Sequence, residues 1–358
     1  MVAILPGWRS GCLMHGGKNS ATMPGYYRLM GICICGISAL EFYRAYGHRA
    51  CGLLAHARTS KLDRISIAGM NRGEERLSEM GVLKRPIHVL VDRDARRKPN
   101  ERFICKTHSN LPPRSVIKVS EEVSVVCPEL LFLELASSIE KTPRENLLKG
   151  EVALALVGFE LCGTYLLSNE GQCGSVQEKM RKGFANTHQS LTNKEKIEKY
   201  IANCGRLDGV ASARRALEII QEGSHSPMES SLFMLLCGPR SHGGMGFPRG
   251  LLNYRVKTSR GQRLIDLAWP HFGVGIEYLG RNYHGISEVE RDDRRRNEIG
   301  GEGVTIFNVR YEDLAQPYRF KQLVEVLSKS TGVRVRVRSS AFWGRHALTK
   351  SVVLPNGI

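Results

Sequence analysis

Hydrophobic and polar positions change their spacing several times along this chain, and each change predicts an element. Short apolar runs bounded by turn residues predict strands over 86–92, 103–107, 116–119, 122–126, 251–256 and 304–309. Helical spacing predicts helices over 128–139 (PELLFLELASSI, with Pro128 in the first turn), 145–157, 194–203, 209–222, 227–236 and 317–328. Ser38, with Glu41 three residues on, has the form of a capping box and predicts a short helix over 38–44. Ser226 followed by Pro227 marks the start of the apolar helix in SPMESSLFMLL. A charged helix is expected over 287–299, SEVERDDRRRNEI. The run VRVRVR at 333–338 alternates strictly and predicts a strand with Arg334, Arg336 and Arg338 on one face. Residues 158–165 read as a turn, and residues 60–85 show no clear period.

These elements divide the chain. Residues 1–33 hold glycines and polar residues with little periodicity and read as a disordered leader. An α+β domain is expected over 34–168, then a polar linker and helical segment over 169–223. The second domain, 224–338, runs helix, strand, strand, strand, helix, strand, and 339–358 reads as a tail. The fold class expected is α/β.

Within the second domain, residues 263–284 read RLIDLAWPHFGVGIEYLGRNYH. Leu264, Ile265, Leu267 and Trp269 enrich one strand, and Val274, Ile276, Tyr278 and Leu279 enrich the next. Pro270, His271, Phe272 and Gly273 make the turn. A loop of that length sets Trp269 opposite Val274 and Asp266 opposite Glu277. Two acids facing each other across an antiparallel pair repel. A divalent cation between them removes the repulsion, because hard cations such as magnesium take carboxylate oxygens. The hairpin is a candidate two-carboxylate metal site.

Composition adds a partner and removes several alternatives. The 358 residues carry 52 Lys and Arg against 35 Asp and Glu, a formal net charge of +17. That excess attracts polyanions, nucleic acid first among them. Arg214 and Arg215 on the 209–222 helix either meet solvent or bind phosphates. The ten cysteines are scattered without a C-x-x-C pair, which argues against a zinc site. With no secretory apolar region, they read as reduced thiols of a cytoplasmic protein. No apolar run approaches the about 20 residues of a membrane helix, so no membrane is expected. The glycines at 243, 244 and 246 lack the Lys-Ser/Thr of a phosphate loop.

The pieces SPMESSLFMLL, NYRV, LIDLAWP, VGIEYLGRNYH, the run Asp292-Asp293-Arg294-Arg295-Arg296 and GVTIFNVR resemble the PD-(D/E)XK nuclease superfamily over residues 224–335. More narrowly they resemble the Vsr-like endonuclease domain of actinobacterial proteins of unknown function. The upstream pieces CPELLFLELAS, GFELCGTY and GVASARRALEII resemble the amino-terminal part of those proteins, and that region is weakly similar to abortive-infection antitoxin-like proteins. The resemblance implies a restriction-endonuclease-like mixed sheet flanked by helices, and cleavage of DNA that depends on Mg2+ or Mn2+. It makes Asp266 and Glu277 the metal-binding acids, with the backbone carbonyl of Tyr278 completing the metal shell. Glu229 becomes the helix acid that orients the attacking water. His284 matches a histidine after the hairpin and is expected to act as general base or to contact phosphate. Read from the residues, Arg294, Arg295 and Arg296 either form a solvated helix face or, beside an acidic metal site, track a DNA backbone, and Arg334, Arg336 and Arg338 either do likewise or protect an edge strand from aggregation.

The chemistry is coherent, since phosphodiester cleavage needs a nucleophile at neutral pH and an electrophile for the charge on phosphate oxygens. One position departs from the pattern. Leu279 stands where the superfamily has Lys and this subgroup commonly Asp, on the strand face of Glu277. Leucine can neither bind metal nor donate a proton. A second reading follows, a DNA-binding module that does not cut, and a third, an antitoxin-like regulator. The partners expected are DNA, with a homodimer or a toxin-type protein on the protein side.

Overall fold

The apolar runs become strands of two mixed sheets in the computed structural model, which describes residues 31–62, 67–81, 84–92, 100–108, 111–168, 183–205, 207–280, 300–337 and 339–354. The first sheet contains β1 (Ile32–Ile34), β2 (Arg58–Thr59), β3 (Ile87–Val91), β4 (Phe103–Thr107), β5 (Val116–Lys118) and β6 (Val123–Val126). Their order is β2-β5-β6-β1-β3-β4. β1 runs parallel to β6 and antiparallel to β3. The leader expected through residue 33 is corrected here: Ile32, Cys33 and Ile34 form a mid-sheet strand with all three side chains buried. A short apolar run without alternation is what a strand covered on both faces requires.

Helices α1 (Gly36–Tyr46), α2 (Ala50–Leu53), α3 (Ile67–Glu79), α4 (Pro128–Glu140) and α5 (Arg144–Cys162) accompany this sheet. The capping-box reading of Ser38 is also corrected. Helix α1 begins at Gly36 with Cys35 as N-cap. The Gly36 N–H donates to Glu134 Oε2 of α4 at 2.7 Å, so the cap arrives from 98 residues away. Ser38 lies inside the helix, where its Oγ accepts from the His88 N–H at 3.0 Å. Helix α5 runs on through residues expected as a turn. Gly158 permits this: a Cβ there would lie 2.0 Å from Ile220 Cδ1 and 3.0 Å from Phe132 Cε2, so the glycine marks close packing rather than a break.

The chain continues through β7 (Tyr165–Leu167), β8 (Phe184–Asn186), α6 (Lys194–Ala202) and α7 (Val210–Ile219). The two helices are no mere linker. Ile197, Ile201, Ala213 and Leu217 belong to the same buried core as Phe132 and Phe159. Arg215 pairs with Glu151 of α5.

Helix α8 (Pro227–Leu236) leads into the second sheet, β9 (Leu251–Thr258), β10 (Gly261–Trp269), β11 (Val274–Tyr278) and β12 (Thr305–Val309), in the order β12-β11-β10-β9. β9, β10 and β11 are antiparallel neighbours, and β12 is parallel to β11. The structure is thus mixed α/β. Hydroxyls anchor α8: Ser230 Oγ meets Tyr165 Oη at 2.9 Å and Ser224 Oγ at 2.8 Å.

Helices α9 (Tyr311–Ala315), α10 (Pro317–Thr331) and α11 (Ser340–Val353) complete the described chain. Helix α11 replaces the expected tail. Phe342, His346 and Thr349 are buried, and Ser231 Oγ of α8 donates to the Val353 carbonyl at 2.6 Å. Gly243, at φ 77, lets the loop after α8 meet this helix, for a Cβ would sit 2.7 Å from the Arg345 carbonyl oxygen. The strand expected over 333–338 is not formed at residues 333–337. Val333, Val335 and Val337 pack against the core while Arg334 and Arg336 are exposed, so the alternation is of burial alone, without a sheet neighbour. The charged helix expected over 287–299 lies outside the described residues. Cys35, Cys51, Cys105, Cys127, Cys162, Cys204 and Cys237 are free thiols. No helix among them is long and apolar enough to cross a membrane.

Candidate metal centre on the second sheet

The hairpin has the register that its four-residue turn requires. Trp269 pairs with Val274, Ala268 with Gly275 and Leu267 with Ile276. Asp266 and Glu277 come next on their strands, one residue beyond the last of these pairs. Both side chains are half-buried. The Tyr278 N–H donates to Asp266 Oδ2 at 2.8 Å, which orients the first acid across the strand pair. On the other side, Glu277 is in register with Asn308 of β12, and Tyr278 with Val309. The Leu279 N–H donates to the Val309 carbonyl at 2.8 Å, so Leu279 continues the ladder.

Asn308 Oδ1 is buried and accepts no hydrogen bond. A buried amide oxygen without a donor normally carries a cost, and a cation would relieve it. Two carboxylates, this oxygen and the Tyr278 carbonyl are hard donors of the kind magnesium and manganese prefer. These residues fit such an ion. Among the described residues no group of three or more His, Cys, Asp and Glu side chains is placed to hold one. The acids here would supply part of a shell. Magnesium ordinarily takes one or two carboxylates and fills the rest with water and phosphate.

The third acid, Glu229, lies in the first turn of α8. Ser226 is the N-cap, and its Oγ accepts from the Glu229 N–H at 3.2 Å. Glu229 Oε2 accepts from the His225 N–H at 2.7 Å and from Asn253 Nδ2 at 2.5 Å. Burial pushes this carboxyl above the usual range, against the pull of those hydrogen bonds. Burial and the nearby Arg255 together push the His225 imidazole down.

Asn253 lies opposite Asp266 in the β9–β10 register, between the pairs Leu252–Leu267 and Tyr254–Ile265. Its φ is 48°, a left-handed conformation. Leu252 and Leu267 belong to the main core, whereas Tyr254 and Ile265 belong to a small second cluster with Val256, Ala268, Val304 and Ile306. Residues two apart on a regular strand share a face. Here they do not, because the strand turns over at Asn253. A cavity of about 580 Å3 opens beside it, walled by Tyr254, Arg255, Asn193, Gln221 and Glu222.

No family model matches this chain. Neither does any curated protein or any solved structure. The functional reading stands on the residues themselves. The structure joins Asp266 to the backbone of Tyr278, the residue after Glu277, and joins Glu229 to Asn253 on β9, the strand beside that of Asp266. Arg334 and Arg336 lie between α10 and α11, outside the four-stranded sheet. His284, Arg294, Arg295 and Arg296 lie outside the described residues. Pattern reading did not single out Asn253 and Asn308. Both lie inside strands, where asparagine is depleted, and that was the available signal.

Proposed function

We propose that this chain is a magnesium-dependent DNA endonuclease with a restriction-endonuclease-like C-terminal domain. The observation that carries the reading is the acid pair of the hairpin, Asp266 held by the Tyr278 N–H and Glu277 next to it on the adjoining strand. Facing carboxylates on a sheet are unfavourable by themselves, and the asparagine oxygen beside them is a further unspent acceptor. When bound there, magnesium supplies an activated water and neutralises the charge that builds on the phosphate oxygens. The chain does the rest. Asp266 and Glu277 hold the ion, Glu229 orients the attacking water, and the net charge of +17 draws in the polyanion.

Plasmid cleavage tests this. Supercoiled DNA is expected to be nicked with magnesium or manganese and to stay intact with chelator. Asp266→Ala should abolish the nicking while circular dichroism stays that of the wild type. Nicking that survives this substitution removes the assignment.

Leu279 favours a second reading, a fold that holds DNA without cutting it. It predicts salt-sensitive DNA binding, no metal-dependent cleavage by the wild type, and a gain of cleavage in Leu279→Asp. Absence of DNA affinity at low salt counts against both.

A further inference from the structure

Asn253 links the helix acid to the strand opposite Asp266. We propose that it is a positioning residue, which fixes where Glu229 stands relative to the hairpin acids. Its catalytic meaning rests on the nuclease reading above; the link itself is geometric.

Three observations carry it. First, the backbone at Asn253 adopts φ 48°. Asparagine enters this region more easily than other side-chain-bearing residues, but glycine would enter it with less strain. The amide is what the position gains. Second, that amide donates from Nδ2 to two acceptors, the Gly223 carbonyl at 2.8 Å and Glu229 Oε2 at 2.5 Å. Both protons of the NH2 group are thereby used, one on the connection before α8 and one on its first turn. Third, the strand turns over at this residue, so its neighbours Leu252 and Tyr254 anchor two different apolar clusters. The position is held from both sides, and the acid it grips inherits that rigidity. A neutral donor also leaves the carboxylate its charge, which an arginine in the same place would offset.

The test uses the full chain and three variants. Asn253→Gly keeps the left-handed backbone and removes the amide. It is expected to lower kcat for plasmid nicking by about 100-fold, the scale of a misplaced reacting group, with KM for DNA unchanged. Asn253→Asp sets a second carboxylate against Glu229 and should lose more. The third, Glu229→Ala, is read without cleavage: the side-chain amide protons of Asn253 are expected downfield by NMR in the wild type, and should move upfield in this variant. A wild type that does not nick plasmid removes the nuclease reading, while the amide signal still decides the link. A wild type that nicks, with Asn253→Gly nicking at the same kcat, overturns the positioning role and leaves the nuclease reading standing. Should Asn253→Gly fail to fold, the amide signal decides alone. An Asn253 amide unmoved by Glu229→Ala overturns the link.

Discussion

Buried acids around the first sheet and the buried acid at the second are held in different ways. Glu74 carries Arg85 and Arg102, Glu160 carries Arg44, and Glu151 carries Arg215 together with His242. Glu134 carries His108. Each is an acid with a base. Glu229 is as deeply buried, yet its hydrogen bonds come from a backbone N–H and an asparagine amide. The consequence shows in their ionisation. Burial pushes the Glu74 carboxyl up, but hydrogen bonds from Arg102 and Arg85 outweigh it and bring it below the usual range. At Glu229 burial prevails. Acids closed off by cations hold a fold in one arrangement. An acid held by neutral groups has no cation of its own to displace, and is open to a proton or a cation that arrives later.

The sharpest way to test the two regions against each other is to neutralise one acid of the hairpin and one beside the first sheet. Asp266→Asn keeps an acceptor for the Tyr278 N–H, so stability should change by less than about 1 kcal/mol. Cleavage should fall by about three orders of magnitude, within the range seen when a group supporting the reacting atoms is lost. Glu160→Gln should do the reverse. Arg44 donates to Glu160 through Nε at 2.9 Å and through its terminal nitrogen at 2.7 Å. Removing one partner of such a pair costs about 3–5 kcal/mol, measured by urea unfolding, with kcat unchanged. If Asp266→Asn unfolds the protein, or Glu160→Gln abolishes cleavage, the division of labour is wrong.

A smaller effect tests the packing that joins the two regions. Gly158→Ala places a methyl group against Ile220 and Phe132. Ile220 closes the segment from α7 to α8, so the clash reaches the element that carries Glu229. Overpacking of this kind costs about 1–3 kcal/mol. An unchanged melting temperature would mean that the core yields there.

Much of this was legible in the chain, for identifiable reasons. The hairpin register follows from turn length and strand period, both local, and Trp269 does face Val274. Helix α8 could be placed because Ser226 and Pro227 start it by contacts within one turn. What could not be seen depends on partners far away in sequence. The true cap of α1 is a carboxylate in α4. Gly158 reads as a helix stop until the side chain of Ile220 is beside it. Strict alternation in VRVRVR records which side is buried, and nothing local says whether a neighbouring strand exists. Asn253 was hidden for a similar reason: its meaning lies in a hydrogen bond to Glu229, 24 residues upstream.

His346 extends the contrast to a buried base, and it carries the smallest expected effect. The ring is 5% exposed, stacked on Phe320 with centroids 4.9 Å apart, and its Nδ1–H donates to the Gly243 carbonyl at 2.7 Å. Nε2 is buried without a hydrogen-bond partner. Burial pushes the imidazole below its ordinary value; the Gly243 carbonyl pulls it up, and Lys350 pushes it down again. The folded state therefore prefers the neutral ring. Above about pH 6.5 the ring is neutral folded and unfolded alike, and the preference has no effect on stability. As pH falls below that, the unfolded chain takes up the proton first, so stability declines. The limiting slope is about 1.4 kcal/mol for each pH unit, until the folded ring titrates as well. Urea unfolding at pH 7.5 and pH 5.5 should show a larger loss for the wild type than for His346→Gln, whose side chain can still donate to the Gly243 carbonyl. Equal losses would mean that α11 accepts the proton without cost, and that burial does not fix the charge state of this base.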